Sequence, residues 1–492
     1  MNKMGVLSGL KGRVVLSAVV SFIVLTSAAE TVTWTGSASS DWSTAANWTS
    51  GSGAKLPSTA WRRVRVPAKG EVSVGLGERP SARLFDVRAF GAQGDGVAKD
   101  TAAIQAAIDA AEEAGGGEVF LGSGTYLSGT IYLKDGIDFH LGAGATLLGS
   151  PDREDYCPCD ISPFNRGCRS ESSFGAHLVV CCERKNVTVR GPGRIDGHAK
   201  AFLLSHEGKV YGQASIPWRP SQMLWFAQCE DVRVTDLNLV NSTYWSCLFH
   251  GCDRVWVRGC RVRNNRFDRG TFHTHNGDGF DVDCCHSVSI SDCDIDVADD
   301  SITLRADPVG PMRNRDCGWV TVSNCRLSSA CNAVRLGVGT GKIHDAVFSN
   351  LTVRDTSIAF NFVSSWSPKT RGSDFENIRF ENCTVECERF CCLYHNYARD
   401  TAFDGLVFSG IGGKSLLPGT VMANAAKPFG RILFKDVDLD CGVFLHNAPR
   451  ATIEGGRLRA LEPTADDLKN GEQTGHPLTP WGDCNYVPTT ER

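Results

Sequence analysis

Short runs that alternate apolar and polar residues dominate the second half of the chain and predict β-strands. Each run follows a turn residue, ends in a short polar turn and is followed by a second alternating run. Corresponding apolar positions recur every 23 to 33 residues, and no helical periodicity intervenes between them. These positions are Val232, Val255, Val288, Val320, Val347, Ile378, Leu406 and Ile432.

A repeat of this kind predicts an all-β fold, a single-stranded right-handed parallel β-helix with one coil per repeat. A propeller blade would be longer, and a leucine-rich repeat would show its Leu/Asn frame. One amphipathic helix is predicted ahead of the coils, from Thr101 to Ala114, with Asp100 as its N-cap and glycines 115–117 as its stop. Such a helix suits a cap over the exposed core of the first coil.

The ends of the chain differ in character from the repeats. Residues 1–29 combine a basic start, an apolar run and a small-residue cleavage site, which predicts a secretory signal peptide; a membrane anchor is the alternative. Residues 30–70 predict a small Trp-rich β-module, whose tryptophans form its own core or bind carbohydrate. Residues 71–84 are interpreted as a linker, 85–460 as the β-helix and 461–492 as a C-terminal tail.

Composition excludes several classes of function. The net charge is only -4, so no basic excess points to nucleic acid or to an anionic membrane surface. We expect a secreted, periplasmic or cell-surface protein, monomeric and without a cofactor or metal. The 21 cysteines contain no paired CxxC motifs and no zinc-type Cys/His spacing. Pairs spaced eight apart, such as Cys252 and Cys260, are interpreted as small apolar residues stacked in the core, with a few disulfides possible.

Three acids stand out in the segment HNGDGFDVDCCHSVSISDCDIDVADDS. Asp278 precedes Asp299 and Asp300 by 21 and 22 residues, which is about one coil. Neighbouring parallel strands lie about 4.8 Å apart, so the three carboxylates are expected on one face. Like charges at that spacing retain a proton near neutral pH and supply an acid and a base together, as glycoside hydrolysis requires. Alternatively, the three acids are ordinary turn residues.

Sequence motifs add to this interpretation. The stretches NGDGFD and ADDSITLRA resemble the Asn-Thr-Asp and Gly-Asp-Asp motifs of glycoside hydrolase family 28, the polygalacturonase-like pectinases, and the resemblance covers most of residues 83–460. It implies single-displacement inversion, with Asp299 as general acid and with Asp278 and Asp300 activating the water.

Two departures from the family pattern leave the substrate open. Asn332 stands where the family has the His of Gly-His-Gly, and Ala359 and Asn361 stand where it has Arg-Ile-Lys. Further candidate substrate-binding residues are Asn276, His275, Arg305, Arg335 and Lys342. The sequence therefore predicts a secreted glycosidase of a pectin-like or other acidic polysaccharide or its oligosaccharides. A calcium-dependent polysaccharide lyase and a non-catalytic carbohydrate-binding β-helix are the alternatives.

Overall fold

The computed structural model of the protein describes residues 32–34, 48–50, 83–157, 162–165, 175–204, 216–264, 276–365, 371–395 and 400–465. It comprises two units, Met1–Ala82 and Arg83–Arg492, each considered by itself. In the first unit, strands β1 (Val32–Trp34) and β2 (Trp48–Ser50) pair antiparallel, with Trp34 opposite Trp48. The predicted signal peptide, most of the Trp-rich module and residues 466–492 lie outside the described residues.

The second unit is built almost entirely of short strands. In chain order these are β3 (Leu84–Asp86), β4 (Asp95–Lys99), β5 (Gly117–Leu121), β6 (Gly124–Ser128), β7 (Ile131–Tyr132), β8 (Ile137–Leu141), β9 (Ala145–Gly149), β10 (Val179–Cys182), β11 (Lys185–Arg190), β12 (Arg194–Asp196), β13 (Leu224–Ala227), β14 (Glu230–Thr235), β15 (Asn238–Val240), β16 (Cys247–His250), β17 (Asp253–Arg258), β18 (Arg261–Arg263), β19 (Phe280–Asp283), β20 (His286–Ser291), β21 (Asp294–Val297), β22 (Ile302–Ala306), β23 (Cys317–Ser323), β24 (Arg326–Gly339), β25 (Lys342–Ser349), β26 (Thr352–Val363), β27 (Asp374–Glu381), β28 (Thr384–Tyr394), β29 (Phe403–Ser409), β30 (Gly412–Leu417), β31 (Gly419–Met422), β32 (Ile432–Val437), β33 (Gly442–His446), β34 (Ala451–Gly456) and β35 (Arg459–Leu461). Helices α1 (Thr101–Glu113) and α2 (Lys200–Leu203) and the 3-10 helices Val87–Phe90 and Arg153–Asp155 complete the described elements.

These strands form two long parallel sheets within the described residues. The shorter sheet has 13 strands, in the order β3-β5-β8-β11-β14-β17-β20-β23-β25-β27-β29-β32-β34, and the longer sheet has 20. A typical coil contributes one strand to the shorter sheet and two to the longer one, as β20, β21 and β22 do. Parallel pairing of successive coils confirms the predicted β-helix, whose strands run from Leu84 to Leu461.

A column of polar residues turns the chain at the ends of β20, β23, β25 and β27, four successive strands of the shorter sheet. Asp292, Asn324, Asn350 and Asn382 all adopt left-handed backbone conformations, with φ of 55° to 57°. Asn and Asp tolerate this region better than other residues with a Cβ. Their side chains also bond along the column, since Nδ2 of Asn350 donates to Oδ1 of Asn324 at 3.2 Å. This column explains the short polar turns of the repeat.

The core between the sheets contains the regularly spaced cysteines. The register of β17, β20 and β23 places Cys252, Cys285 and Cys317 in one column, all buried. Their partners eight residues later form a second buried column at the other end of the same strands. No disulfide joins the cysteines of the described residues. The interpretation as small apolar core residues is confirmed for these columns.

Helix α1 has the predicted position and buries the predicted face against the first coils. Its buried residues are Ile104, Ala107, Ile108 and Ala111. Asp100 occupies the predicted N-cap position, but its side chain makes no capping bond to α1. Its carboxylate instead accepts the backbone N–H groups of Gln93 and Gly94, at 2.7 and 3.0 Å. The N–H groups of the turn before β4 therefore bind the carboxylate in place of those of the first turn of α1. None of the helices in the described residues is both long and apolar enough to cross a membrane.

Candidate active site

The register between β19 and β22 brings the three predicted acids to one edge of the longer sheet. Phe280 pairs with Ile302, an offset of 22 residues, so Asp278 lies level with Asp300 on the neighbouring coil. The N–H of Gly279 donates to the carbonyl of Asp300 at 2.8 Å. A Cβ at Gly279 would lie 2.3 Å from the carbonyl oxygen of Ser301. Glycine is therefore required for the coils to approach this closely beside Asp278.

Asp300 is held on both carboxylate oxygens by residues of the next coil. Nδ2 of Asn332 donates to Oδ1 at 2.6 Å, and Nε of Arg335 donates to Oδ2. The guanidinium of Arg335 also donates to the carbonyl of Gly337 at 2.6 Å. Nδ2 of Asn361, one coil further, donates to Oδ1 of Asn332 at 2.9 Å. This buried chain of bonds fixes the orientation of the Asp300 side chain.

Asp278 is the acid whose environment favours the proton. It is 2 % exposed, and its Oδ1 has no hydrogen-bond partner among the described residues. Burial, followed by the charge of Asp299, raises the pKa of Asp278 well above its ordinary value. Asp281 and Asp300 add to this rise, whereas Arg335 opposes it. Asp278 therefore holds a proton at pH values where an exposed aspartate is ionised.

Asp281 is a fourth acid of this cluster, and the sequence prediction missed it. It is buried on β19, pairs in register with Thr303, and neither carboxylate oxygen has a hydrogen-bond partner in the described part of the chain. Burial raises the pKa of Asp281 well above its ordinary value, although Arg305 and Arg335 act in the opposite direction. Asp281 is the last residue of the motif NGDGFD. In the sequence it looks like an ordinary strand residue, and only the structure shows that it is buried beside the other acids.

The raised pKa of Asp281 predicts a pH-dependent effect of the Asp281→Asn substitution. An acid with a raised folded-state pKa contributes stability that is present below its unfolded value, near 3.8, and is lost as pH rises through the folded value. Asparagine cannot ionise, so the variant escapes this loss. We expect its Tm relative to the wild type to increase from pH 4 to pH 8, measured by thermal unfolding in matched buffers. A difference in Tm that is constant or that decreases over this range would contradict the assignment.

Asp299 is only half-buried, unlike Asp278 and Asp300. Its backbone carbonyl accepts the hydroxyl of Ser329, which fixes the turn before β22. Donor atoms of Asp299, Asp300 and Cys331 lie within 4.8 Å of one another. The set could hold a metal ion by distance, but Asp300 is already committed to a guanidinium. Its accessibility makes Asp299 the acid that can reach a substrate.

The remaining predicted residues separate into different environments. Asn276 accepts a hydrogen bond from Nη2 of Arg219 at 2.9 Å, which ties the turn before Asp278 to the strand region around β13. Lys342 lies on β25 of the shorter sheet, where its Nζ is 2.5 Å from Glu376, so it is not brought together with the acids on the longer sheet. His275 lies outside the described residues.

Arg305 faces a narrow cavity beside the acids rather than the acids themselves. Its guanidinium lies 4.8 Å from the centre of the Trp245 ring and 3.5 Å from Asp283 at the closest atoms. Its Nε has no hydrogen-bond partner within the described residues. The cavity is further lined by Trp225 and His250, among others. This arrangement combines a stacked cation with aromatic walls and the carboxylate of Asp283.

Two family models match parts of this chain. Glycosyl hydrolases family 28 matches residues 167–318, which include the acids, and Rhamnogalacturonase A/epimerase, pectate lyase-like, matches residues 84–155. The Exo-poly-alpha-D-galacturonosidase of Dickeya chrysanthemi is 24% identical over 46% of this chain and 42% of its own. The Mannuronan C5-epimerase AlgE2 of Azotobacter vinelandii is 38% identical over 25% of this chain and 13% of its own. The chain spans less than half the length of these curated relatives.

A solved structure agrees with the fold. The hyperthermoactive Exopolygalacturonase of Thermotoga maritima has a TM-score of 0.60 at 19% identity and covers 81% of this chain and 93% of its own. Such structural neighbours are right-handed β-helix pectinases, so the predicted handedness is confirmed.

Proposed function

Because this chain is a divergent, polygalacturonase-like member of glycoside hydrolase family 28, we propose that it hydrolyses glycosidic bonds of an acidic polysaccharide or its oligosaccharides. The observation that carries the proposal is the cluster of Asp278, Asp299 and Asp300, in which Asp278 retains a proton. Neighbouring acids with such different environments are what acid/base cleavage of a glycosidic bond needs.

The roles follow from burial and bonding. Asp299, half-buried, is the general acid that protonates the leaving oxygen. Asp299 and Asp300 lie within 4.8 Å at the closest oxygens, which is closer than the 6.5–9.5 Å usual for an inverting pair. Asp278 is therefore the better base, because burial and the charge of Asp299 make its carboxylate form strongly basic. The reactive form is the one in which the proton retained by the pair lies on Asp299 and Asp278 is ionised. Asp300, oriented by Asn332 and Arg335, positions the water.

Because the chain lacks the Arg-Ile-Lys residues of the family, another cation must recognise an acidic substrate. Arg335 is committed to Asp300, and Lys342 to Glu376, so neither is the cation that recognises a uronate. We assign that role to Arg305, which is stacked on Trp245 at the cavity. Its ion pairs with Asp283 and Asp307 are longer, at 3.5 and 3.8 Å. The proposed substrate thus carries a carboxylate, although the Arg-Ile-Lys recognition of the family is replaced.

Substitution of Arg305 tests this assignment. We expect Arg305→Gln to raise KM for uronate-containing oligosaccharides by roughly 10- to 100-fold, the range expected for loss of a hydrogen bond to a charged group, with a smaller change in kcat. The measurement is steady-state release of reducing sugar. Arg313→Gln, on the loop between β22 and β23, serves as the matched control. An unchanged KM in Arg305→Gln would exclude the assigned role.

The reaction itself is tested by the products formed from a panel of pectic, alginate and neutral glycans. Hydrolysis releases reducing ends without ultraviolet-absorbing unsaturated sugars and continues in the presence of a chelator. NMR of the first-formed anomer then tests inversion, and a retained anomer would assign a nucleophile instead. Unsaturated products would support a lyase, and altered uronate stereochemistry without cleavage an epimerase. Binding without turnover of any glycan would support a carbohydrate-binding protein.

Secretion is part of the same proposal. A polysaccharide substrate and the N-terminal signal-like segment both favour a secreted, periplasmic or cell-surface enzyme. N-terminal sequencing of the exported protein in its native host tests this, with cleavage expected near residue 29.

A further inference from the structure

A second cluster of chemically active side chains lies on the shorter sheet, away from the acids of the longer sheet. His286 begins β20, Asp316 directly precedes β23, and His344 lies on β25, so the three come from successive coils. The Nε2 atoms of His286 and His344 lie 2.9 and 3.0 Å from Oδ1 and Oδ2 of Asp316. One donor atom from each residue lies within 4.8 Å of the others.

Gly318 allows the two imidazoles to converge. It lies in register between His286 and His344 on the intervening strand. A Cβ at Gly318 would meet Cε1 of His344 at 2.4 Å and Nε2 at 2.7 Å. The His344 ring thus occupies the space in which a side chain of the middle strand would lie. The ring of Trp319, centred 4.8 Å from His286 and 5.3 Å from His344, closes one side.

The surroundings of His344 match the outer shell of a metal site. Its Nδ1 is 2.8 Å from Oδ2 of Asp345, and this carboxylate fixes the tautomer that leaves Nε2 available to a metal. Nδ1 of His286 lies 4.0 Å from Oδ1 of Asp253, beyond hydrogen-bond distance. Asp345 is itself held by Asn377. Asp253 is held by Arg313 and by Asn314, both at 2.7 Å.

Asp316 pairs only with histidines in the described part of the chain. Within the described residues no Lys or Arg lies within ion-pair distance of Asp316, whose only such partners are the two histidines. Its side chain is 42 % exposed, so solvent can complete a coordination sphere. Two imidazole nitrogens and one carboxylate, with an open position, form a donor set that Zn²⁺ prefers.

From these observations we propose that His286, Asp316 and His344 bind one divalent transition-metal ion, best matched by Zn²⁺, on the outer face of the shorter sheet. The ion would join β20, β23 and β25, three successive strands of that sheet, and so stabilise the coils that also carry the catalytic acids. It would be structural, since the acids project from the longer sheet. The proposal is independent of the reaction assigned to Asp278, Asp299 and Asp300.

The test is calorimetric titration of the full chain, freed of metal with a chelator, with Zn²⁺ alone. We expect one Zn²⁺ per chain, at least tenfold weaker binding in His344→Ala and in the near-isosteric Asp316→Asn, and a Zn²⁺-dependent rise in Tm that both variants lose. His140→Ala is the matched control, because Nδ1 of His140 also contacts a carboxylate on the shorter sheet, Glu118 at 2.6 Å. Its affinity should equal that of the wild type.

Three outcomes would overturn the proposal. They are the absence of binding at millimolar Zn²⁺, binding that is unchanged in both cluster variants, and binding that is lost only in Asp299→Asn, which would place the ion at the acids. Thermal unfolding of each variant without metal establishes that the protein is folded before titration. Hydrolytic activity on a cleaved glycan should persist in the chelator.

Discussion

Asp299→Asn is expected to lower kcat by roughly 10²- to 10⁴-fold, the usual contribution of a positioned general acid. The reason is that the amide cannot protonate the leaving oxygen, whereas the other acids are buried or bonded to the next coil. KM should change little, because the substitution keeps shape and polarity. The measurement is reducing-sugar release on the best glycan from the panel, with oligosaccharide binding followed by calorimetry.

Asp296→Asn is the matched control for this experiment. Asp296 lies on β21, three residues before Asp299 in the same coil, and is partly buried in the same way. Its activity should stay close to that of the wild type. Full activity of Asp299→Asn would contradict the assigned role, and rescue on substrates with a good leaving group, which need no acid, would support it.

Arg335→Met is expected to destabilise the protein by about 3–5 kcal/mol, the cost of leaving one partner of a buried ion pair uncompensated. Arg335 and Asp300 are both nearly inaccessible, with side chains 4 % and 3 % exposed. Loss of the guanidinium also removes a charge that opposes the rise in the pKa of Asp278. The measurement is chemical unfolding at neutral pH, together with kcat, which should fall as Asp300 loses its orientation.

Arg326→Met supplies the comparison, since Arg326 lies on β24 like Arg335 and forms an ion pair with Asp294 of β21, but its side chain is 65 % exposed. We expect an effect within about 1 kcal/mol there. The double variant Arg335→Met/Asp300→Asn should recover much of the lost stability, because no uncompensated charge remains in it. A loss in the double variant as large as in Arg335→Met would show that packing, rather than charge, determines the effect.

These two predictions separate the tasks within the cluster. Asp299 is accessible and is the proposed general acid, whereas Arg335 is buried and pairs with Asp300 among acids that would otherwise repel one another. Asn332 does the same through its amide, in a position where the family has a histidine. The departure from the family motif therefore replaces a titratable neighbour of the acids with one that cannot ionise.

Much of this arrangement was predictable from the sequence because a parallel β-helix converts sequence spacing into spatial proximity. The coil-length offset between Asp278 and Asp300 became the observed register of 22 residues. The same logic predicted helix α1 and its four buried residues. Asp100 makes no capping bond because its carboxylate accepts the N–H groups of Gln93 and Gly94 instead of those of the first turn of α1. The spacing of residues along the chain does not show which of these donors lie closer to the carboxylate.

The sequence by itself determined the fold, the coil-length spacing of the three acids and the absence of an Arg-Ile-Lys motif, because repeat period and motif order are properties of the chain. The tertiary structure alone decided which cations are available. It assigned Arg335 to Asp300 and Lys342 to Glu376, and placed Arg305 on the Trp245 ring with Asp283 and Asp307 at 3.5 and 3.8 Å. It also added Asp281 to the acids and brought His286, Asp316 and His344 together. Which side chains are buried, and which groups they bond to, depends on contacts between coils of unequal length. The spacing of residues along one strand gives no information about these contacts.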